Sequence, residues 1–157
     1  MTEPPVIFIS HGPPLVGVVA CAAHHFLKTL GAESPAPRAI LSISAHWESV
    51  DPLVTMGPRP PILYDFGGPG ALRQFSYPAA GSPDLTDEVI DLLARQGIDA
   101  HGMDRGVDHG TWIPLALIYP KADVPVVQLS IQTERDANHH FELGKALSPL
   151  RQAGVLI

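Results

Sequence analysis

The chain has 157 residues, of which 45% are hydrophobic and 17% charged, and its formal net charge is −6 at pH 7. This length predicts one domain with its own core, and an acidic chain without a lysine or arginine cluster excludes nucleic acid and anionic membranes as expected partners. The uncharged residues 6–27 are interrupted by glycines and prolines, so no transmembrane helix is predicted. Glu3 stands where a secretion signal needs a basic residue, which predicts a cytoplasmic location.

The first third of the chain predicts a strand, a helix and a second strand. "PVIFIS" (residues 5–10) is an apolar run of strand length. A helical stripe follows at Val19, Ala23, Phe26, Leu27 and Leu30. Gly31 is its expected end, and the lone Cys21 is expected to be a small buried residue. "RAILSISA" (residues 38–45) predicts the second buried strand, and a connection of this length favours a right-handed crossover between parallel strands.

The middle of the chain is rich in proline. Residues 52–83 predict a long irregular connection, which is either a lid or binding loop or a surface segment packed by its own aromatic side chains. A helix is predicted directly after it, with Ser82 as N-cap, Pro83 at its first position and Gly97 after its end. The buried stripe of that helix is expected to be Leu85, Val89, Leu92 and Leu93.

The last third continues the alternation of strands and helices. Residues 102–112 predict a loop leading into a short helix, and "VPVVQLSI" (residues 124–131) predicts a third strand. Asp136 is expected to cap a helix ended by Gly154, with "GVLI" opening another buried strand. The apolar face of that helix is expected to contain Phe141, Leu143, Leu147 and Leu150. This order predicts an α/β fold with a mostly parallel central sheet flanked by helices.

Two histidines each follow a predicted strand directly. His11 follows residues 5–10, and His46 follows residues 38–45. Ligands of α/β sheets bind at the carboxyl ends of the strands, and neutral imidazole is a common metal ligand. Together the two histidines favour a metal site at this edge of the sheet, although either one alone would favour a histidine bonded to loop backbone.

A third histidine, His109, is a candidate general acid or base. It is expected on a loop, with Asp108 orienting its ring and Gly110 allowing close backbone approach, although Asp-His-Gly also forms ordinary turns. Glu48 is expected to support the site at most, since it would have to curl back to complete a two-histidine, one-carboxylate set. The remaining histidines are expected on helix surfaces or beside a short edge segment, namely His24, His25, His101, His139 and His140.

Several motifs together resemble the class III extradiol ring-cleaving dioxygenases, and among them the DOPA-dioxygenase type with its many bacterial members. They are "FISHGPP", "AILSISAHWES", "ILYDFGG" with "YPAAGSP", "RGVDHGTWIPLALIYPKADVPVVQLSI" and "LGKALSPLRQAGVLI". The resemblance covers essentially the whole chain in collinear order. It departs at Pro13, where family members commonly have serine, and members continue for roughly another hundred residues that supply further metal-contacting histidines.

The resemblance implies an enzyme that opens a catechol ring next to its hydroxyls and inserts both atoms of O₂, with one non-haem Fe²⁺ or Zn²⁺. By motif it implies that His11 and His46 are metal ligands and that His109 is the catalytic acid and base. Trp47 and Trp112 are expected either to pack on the catechol or to belong to the core. The implied partners are a small aromatic diol and O₂.

The expected organisation is a single catalytic domain over residues 1–157 that lacks the carboxyl-terminal part of the family. Two alternatives stay open. A zinc hydrolase on a similar sheet would use the same histidines to activate water, and an inactive fragment without a complete metal site would do neither.

Overall fold

The structure, a computed structural model, describes residues 3–33, 36–67 and 74–157. A 3₁₀ turn at Pro14–Gly17 precedes the main elements. These are α1 (Ala22–Glu33), β1 (Ala39–Glu48), β2 (Leu53–Thr55), α2 (Pro83–Ala94), β3 (His101–Met103), α3 (His109–Ile118), β4 (Val126–Ile131), α4 (Ala137–Leu147), α5 (Pro149–Gln152) and β5 (Val155–Leu156). None of the helices in the described residues is long and apolar enough to cross a bilayer.

The strands form one sheet in the order β3-β2-β4-β1-β5. β1 is parallel to β4 and β5, and β2 is parallel to β3. The pair of β2 and β4 is antiparallel, with Val54 opposite Leu129. The predicted α/β fold with a mostly parallel sheet is therefore confirmed.

Helices cover both faces of the sheet. Successive residues of a strand point to opposite faces, so Ile40 packs with α1 and α3 while Leu41 packs with α2 and α4. The same division separates Val126 from Val127. Burial on both faces explains why these strands are continuous apolar runs in the sequence.

The predicted starts of α2 and α4 are confirmed by their caps, whereas the helix expected to continue to Gly154 ends at Leu147 and is followed by the separate α5. The Ser82 hydroxyl accepts a hydrogen bond from the backbone N–H of Leu85 at 3.3 Å, and Pro83 is the first residue of α2. The Asp136 carboxylate accepts from the backbone N–H of His139 at 2.9 Å. These bonds satisfy N–H groups that the first helical turn leaves without partners.

The predicted strand at residues 5–10 is wrong. The segment is extended, but its one backbone hydrogen bond in the described part of the chain joins the Ile7 N–H to the Ile157 carbonyl at 2.8 Å. Its neighbour β5 has only two residues, so no row of partners exists for a ladder, and the expected crossover between parallel strands is absent too. The segment instead lines an apolar groove of about 840 Å³ beside β1 and α3, and Phe8 is 99% exposed.

The first helix also differs from its prediction. Gly31 lies inside α1 rather than at its end. A Cβ atom on Gly31 would lie 1.8 Å from the Ile118 carbonyl oxygen, so this glycine allows α1 to approach α3 closely. Of the predicted stripe only Leu27 is fully buried, and Phe26 and Cys21 are exposed.

The proline-rich segment begins with a strand that the sequence did not indicate. β2 has three residues, too few for an alternating pattern to be visible, yet Val54 is completely buried. Further along, the Tyr64 hydroxyl donates to the Phe75 carbonyl at 2.6 Å and Tyr77 is buried in the core. The described part of this segment is therefore packed both by its own aromatic residues and against the core, and residues 68–73 lie outside it.

Candidate functional site

Three histidines from distant parts of the chain meet at one point. The Nε2 atoms of His11 and His46 are 3.0 Å apart. The His109 ring centroid lies 5.3 Å from that of His11 and 4.1 Å from that of His46. Among the described residues, these three form the group of potential metal-ligating side chains whose ligand atoms lie within 4.8 Å of one another. We call this group the histidine cluster.

Each histidine is held by a different kind of element. His46 lies inside β1 rather than after it, because β1 continues past a register shift to Glu48. His11 precedes Gly12, whose φ of +63° turns the chain toward the 3₁₀ turn. His109 was predicted to lie on a loop, but it is the first residue of α3, which begins three residues before Trp112.

The His109 ring is oriented by Asp65 and not by Asp108. Asp65 Oδ1 accepts hydrogen bonds from His109 Nδ1 at 2.9 Å and from the His109 backbone N–H at 3.1 Å. Although desolvation on burial raises the pKa of the Asp65 carboxyl, the bonds from the His109 backbone and ring lower it, and the net pKa lies below 3.8. Asp65 is therefore ionised near neutral pH.

Asp108 lies in a buried polar network beneath the histidine cluster. Its carboxylate is fully buried and accepts from the Ser44 hydroxyl at 2.7 Å and from the Gln128 side-chain amide. Arg105 completes the network with an ion pair of 3.4 Å to the same carboxylate. A buried carboxylate is stable when such donors replace its water. The network joins β1 and β4 to the start of α3, so it holds the strand of His46 against the helix of His109.

Gly110 allows this approach, as the sequence predicts. A Cβ atom at position 110 would lie 2.7 Å from His46 Cδ2 and 2.9 Å from Ser44 Oγ. Both distances are shorter than a real Cβ contact, so any larger residue would push β1 and α3 apart.

The electrostatics of the cluster favour the neutral form of His11. Desolvation by burial lowers the pKa of His11 below 6.5, and the neighbouring His109 and His46 lower it further against an opposing contribution from the Gly12 backbone. A neutral imidazole has a lone pair to offer a metal ion. The Nε2 atoms of His11 and His46 are 3.0 Å apart, so both could contact one divalent ion. The residues present therefore fit a divalent metal.

Several residues considered from the sequence lie away from the cluster. Glu48 is exposed and accepts a bond from the Thr133 hydroxyl at 3.2 Å. Trp47 and Trp112 are 6% and 1% exposed, so both belong to the core rather than to an open substrate surface. The expectation of helix surface holds for the exposed His25, whereas three other histidines are half-buried with polar contacts, namely His24, His139 and His140.

The contact of the histidine cluster that the sequence did not reveal is the one that Asp65 makes with His109. Asp65 stands 44 residues before His109, and no spacing rule connects an acid in an irregular segment to a histidine at a helix start. The available signal was its setting in "ILYDFGG", a single acid between two aromatic residues. Such a pattern does not distinguish an acid that bonds a distant side chain from one that only faces solvent.

The chain matches the sequence model of one protein family over nearly all of its length. Residues 5–157 match the model of the catalytic LigB subunit of aromatic ring-opening dioxygenase. A protein of Beta vulgaris named 4,5-DOPA dioxygenase extradiol is 47% identical over 156 residues, which cover 96% of this chain and 58% of that protein. A protein of the same name from Escherichia coli K12 is 40% identical over 157 residues, covering 99% and 58%.

A solved structure shows the same fold. The crystal structure of an uncharacterized protein from Escherichia coli K12 matches with a TM-score of 0.73 and 36% identity, over 88% of this chain and 52% of that one. The present chain spans a little more than half the length of the curated relatives that it matches.

Proposed function

Because the chain belongs to the family of LigB catalytic subunits of aromatic ring-opening dioxygenases, we propose that it acts in metal-dependent extradiol cleavage of a catechol-type ring with O₂. The observation that carries this proposal is the convergence of His11, His46 and His109 within 4.8 Å. The relatives named 4,5-DOPA dioxygenase extradiol support a DOPA-like dihydroxyaromatic substrate. The partners are then a small aromatic diol and O₂.

His11 and His46 are the proposed metal ligands. Their Nε2 atoms face each other at 3.0 Å, and desolvation keeps the pKa of His11 low, so protons compete weakly for its lone pair near neutral pH. The family implies a non-haem metal, and we propose Fe²⁺, or Zn²⁺ in its place. When bound, a divalent ion supplies positive charge that acidifies a coordinated catechol hydroxyl and orients the ring.

His109 is the proposed acid and base. Its Nδ1 is engaged by Asp65, which leaves Nε2 as the nitrogen that can accept a proton. His109 accepts the proton of the second catechol hydroxyl at Nε2 and returns it later in the reaction. The side chain of His109 is only 8% exposed, so bulk water has little access to this proton.

We also propose a domain organisation and a compartment. Residues 1–157 are proposed to be a single catalytic domain, and the cytoplasm is the proposed compartment. The relatives extend over a further two fifths of their own length. Their metal-contacting groups beyond the matched part, which the family resemblance implies, would complete the donor set that two imidazoles leave open.

The experiment is an anaerobic Fe²⁺ titration followed by O₂ uptake with DOPA. The wild-type chain is compared with His11→Ala and His46→Ala, with the exposed His25→Ala as the matched control, and with the full-length Escherichia coli relative as a positive control. We expect the first two variants to lose at least about tenfold in Fe²⁺ affinity and the control to lose nothing. Equal affinity in all four forms of the chain would refute the metal assignment.

The same experiment separates the two alternatives. Metal binding without O₂ uptake on any catechol, together with ester or amide hydrolysis, would replace the dioxygenase with a zinc hydrolase. Failure of the wild-type chain to bind Fe²⁺ or Zn²⁺ at micromolar concentration, while the Escherichia coli relative binds, would identify an inactive fragment.

A further inference from the structure

The contact between Asp65 and His109 is unusual because one carboxylate oxygen accepts two bonds from the same residue. Asp65 Oδ1 lies 2.9 Å from Nδ1 of the ring and 3.1 Å from the backbone nitrogen. That backbone N–H belongs to the first residue of α3, whose early N–H groups have no partner within the helix. The formal N-cap, Asp108, makes no side-chain bond to the helix. Asp65 therefore fixes the ring and the helix start together.

The segment that carries Asp65 is itself fixed on both sides of it. Before Asp65, the Leu63 N–H donates to the Val107 carbonyl at 2.8 Å, and the Leu63 carbonyl accepts from the Trp112 indole at 2.9 Å. After Asp65, the Phe66 ring lies 5.2 Å from the His109 ring and 6.2 Å from that of Trp112. The segment that carries Asp65 is thus held by the backbone bond to Val107, just before α3, and by side-chain contacts with α3 itself.

Only the His109 ring can be the donor in its hydrogen bond to Asp65. An ionised carboxylate has only acceptor positions, so the ring nitrogen that contacts it must be the donor. In the neutral ring Nδ1 then carries the hydrogen, and Nε2 keeps its lone pair. An imidazole whose Nδ1 is held by a carboxylate is the arrangement in which Nε2 serves as a base of fixed direction.

We propose that Asp65 is the positioning residue of His109, holding the ring in the Nδ1–H tautomer so that Nε2 is the proton acceptor, an inference that rests on the proposed function of His109. Asp65 does not itself exchange a proton with substrate. In the described residues, the hydrogen bonds that its carboxylate accepts from another residue both come from His109.

The first test reads the tautomer directly and needs neither metal nor turnover. Two-dimensional ¹H–¹⁵N spectra of the metal-free chain distinguish a protonated from an unprotonated ring nitrogen. We expect wild type to show Nδ1–H and Nε2 without hydrogen at His109. Asp65→Asn, which keeps the shape and removes the charge, and Asp65→Ala, which removes the acceptor, should both move His109 toward a mixture. The matched control is Asp99→Asn, since Asp99 faces His101 at 3.4 Å on the surface.

The second test uses the metal-loaded chain and measures its turnover of DOPA. We expect Asp65→Ala to lower kcat by about 10²-fold or more, with KM and Fe²⁺ affinity each changed less than about threefold. An unchanged His109 tautomer in both Asp65 variants would overturn the proposal, as would an unchanged kcat in an active enzyme. A tenfold loss of Fe²⁺ affinity would also overturn it, because Asp65 would then support a metal ligand. If wild type has no dioxygenase activity, the proposed function fails, and the spectra alone decide whether Asp65 sets the tautomer.

Discussion

At the scale of single residues, Ser44 has two bonds that connect the parts of the site. Its hydroxyl donates to Asp108 at 2.7 Å and accepts the backbone N–H of His46 at 3.2 Å. Ser44 is buried, so no water replaces it when it is removed. Its neighbour Ser42 also makes a hydroxyl bond, but to the neutral Thr111 at 2.8 Å. The two serines on one strand therefore differ in burial, in the number of their bonds and in the charge of their partner.

We expect Ser44→Ala to cost about 1–3 kcal/mol of unfolding free energy, because it removes a donor from a buried carboxylate. Ser42→Ala should cost about 0.5–1.5 kcal/mol, the ordinary value for a neutral hydrogen bond. Urea unfolding of both variants and wild type measures the difference. A loss at Ser44 no larger than the loss at Ser42 would contradict the importance of the Asp108 network.

Asp65 also predicts a pH dependence of stability. The bonds from His109 hold its folded pKa below 3.8, so its carboxylate stabilises the fold fully above that value. The contribution is lost as the pH falls through the folded pKa, because the protonated acid no longer accepts both bonds. In metal-free protein, wild type should exceed Asp65→Asn in unfolding free energy at pH 7, and the difference should shrink below pH 3.8. A difference that stays constant down to acid unfolding would exclude the ionised carboxylate as its origin.

The sequence indicates the three histidines of the site but not their support. His11 and His46 are visible because each interrupts an apolar run, and His109 because it lies between an acid and a glycine. The prediction that Asp108 orients the His109 ring is wrong. Asp108 is the nearest acid in sequence, but it points into the interior at the start of α3. The true partner of His109, Asp65, is adjacent only in space.

At the scale of secondary-structure elements, a prediction is accurate when its sequence signal lies within a few residues of the element. The starts of α2 and α4 are determined by caps within three residues, Ser82 and Asp136, and both are confirmed. A strand depends on partners elsewhere in the chain, so the apolar residues 5–10 satisfy the pattern without forming one. The three-residue strand β2 carries too little sequence to predict, although its Val54 is completely buried.

The contact between α3 and β1 predicts opposite results for two glycine substitutions. Gly110→Ala places Cβ 2.7 Å from the His46 ring, and we expect it to cost about 1–3 kcal/mol of stability and at least about tenfold in Fe²⁺ affinity. Gly144→Ala in α4 meets no atom within 4 Å and should stabilise the fold by about 0.5–1 kcal/mol. Urea unfolding and Fe²⁺ titration of both variants measure this. Unchanged Fe²⁺ affinity in Gly110→Ala would show that the close approach does not govern the cluster.

At the scale of the whole molecule, alternation of strands and helices was enough to predict the α/β class and the covered, mostly parallel sheet. The strand order β3-β2-β4-β1-β5 was not predictable, because it depends on the antiparallel insertion of β2 beside β4. The metal assignment was reached from the carboxyl ends of strands, yet His11 follows a segment that is not a strand. The structure nevertheless places His11 and His46 next to each other, together with His109.

Backbone pairing predicts how amide hydrogen exchange varies over the molecule. The Ile7 N–H has a single bond to Ile157 at the end of a two-residue strand, whereas Val127 and Leu129 lie in β4, between β1 and β2, and are fully buried. We expect Ile7 to exchange through local opening, unaffected by low urea, and Leu129 only through global unfolding. Exchange measured by NMR at several urea concentrations tests this. Equal urea dependence at both amides would mean that residues 5–10 unfold together with the sheet.

The histidine cluster is assembled from contacts between residues that are far apart along the chain. His11 and His46 are separated by 35 residues, and Asp65 and His109 by 44. Each contact therefore requires the closure of a long loop, which is entropically costly and slow compared with forming a helix. No short peptide of this chain can contain the cluster. During refolding, capture of a metal ion should consequently be a late event, and its time course should report when the last of these long-range contacts has formed.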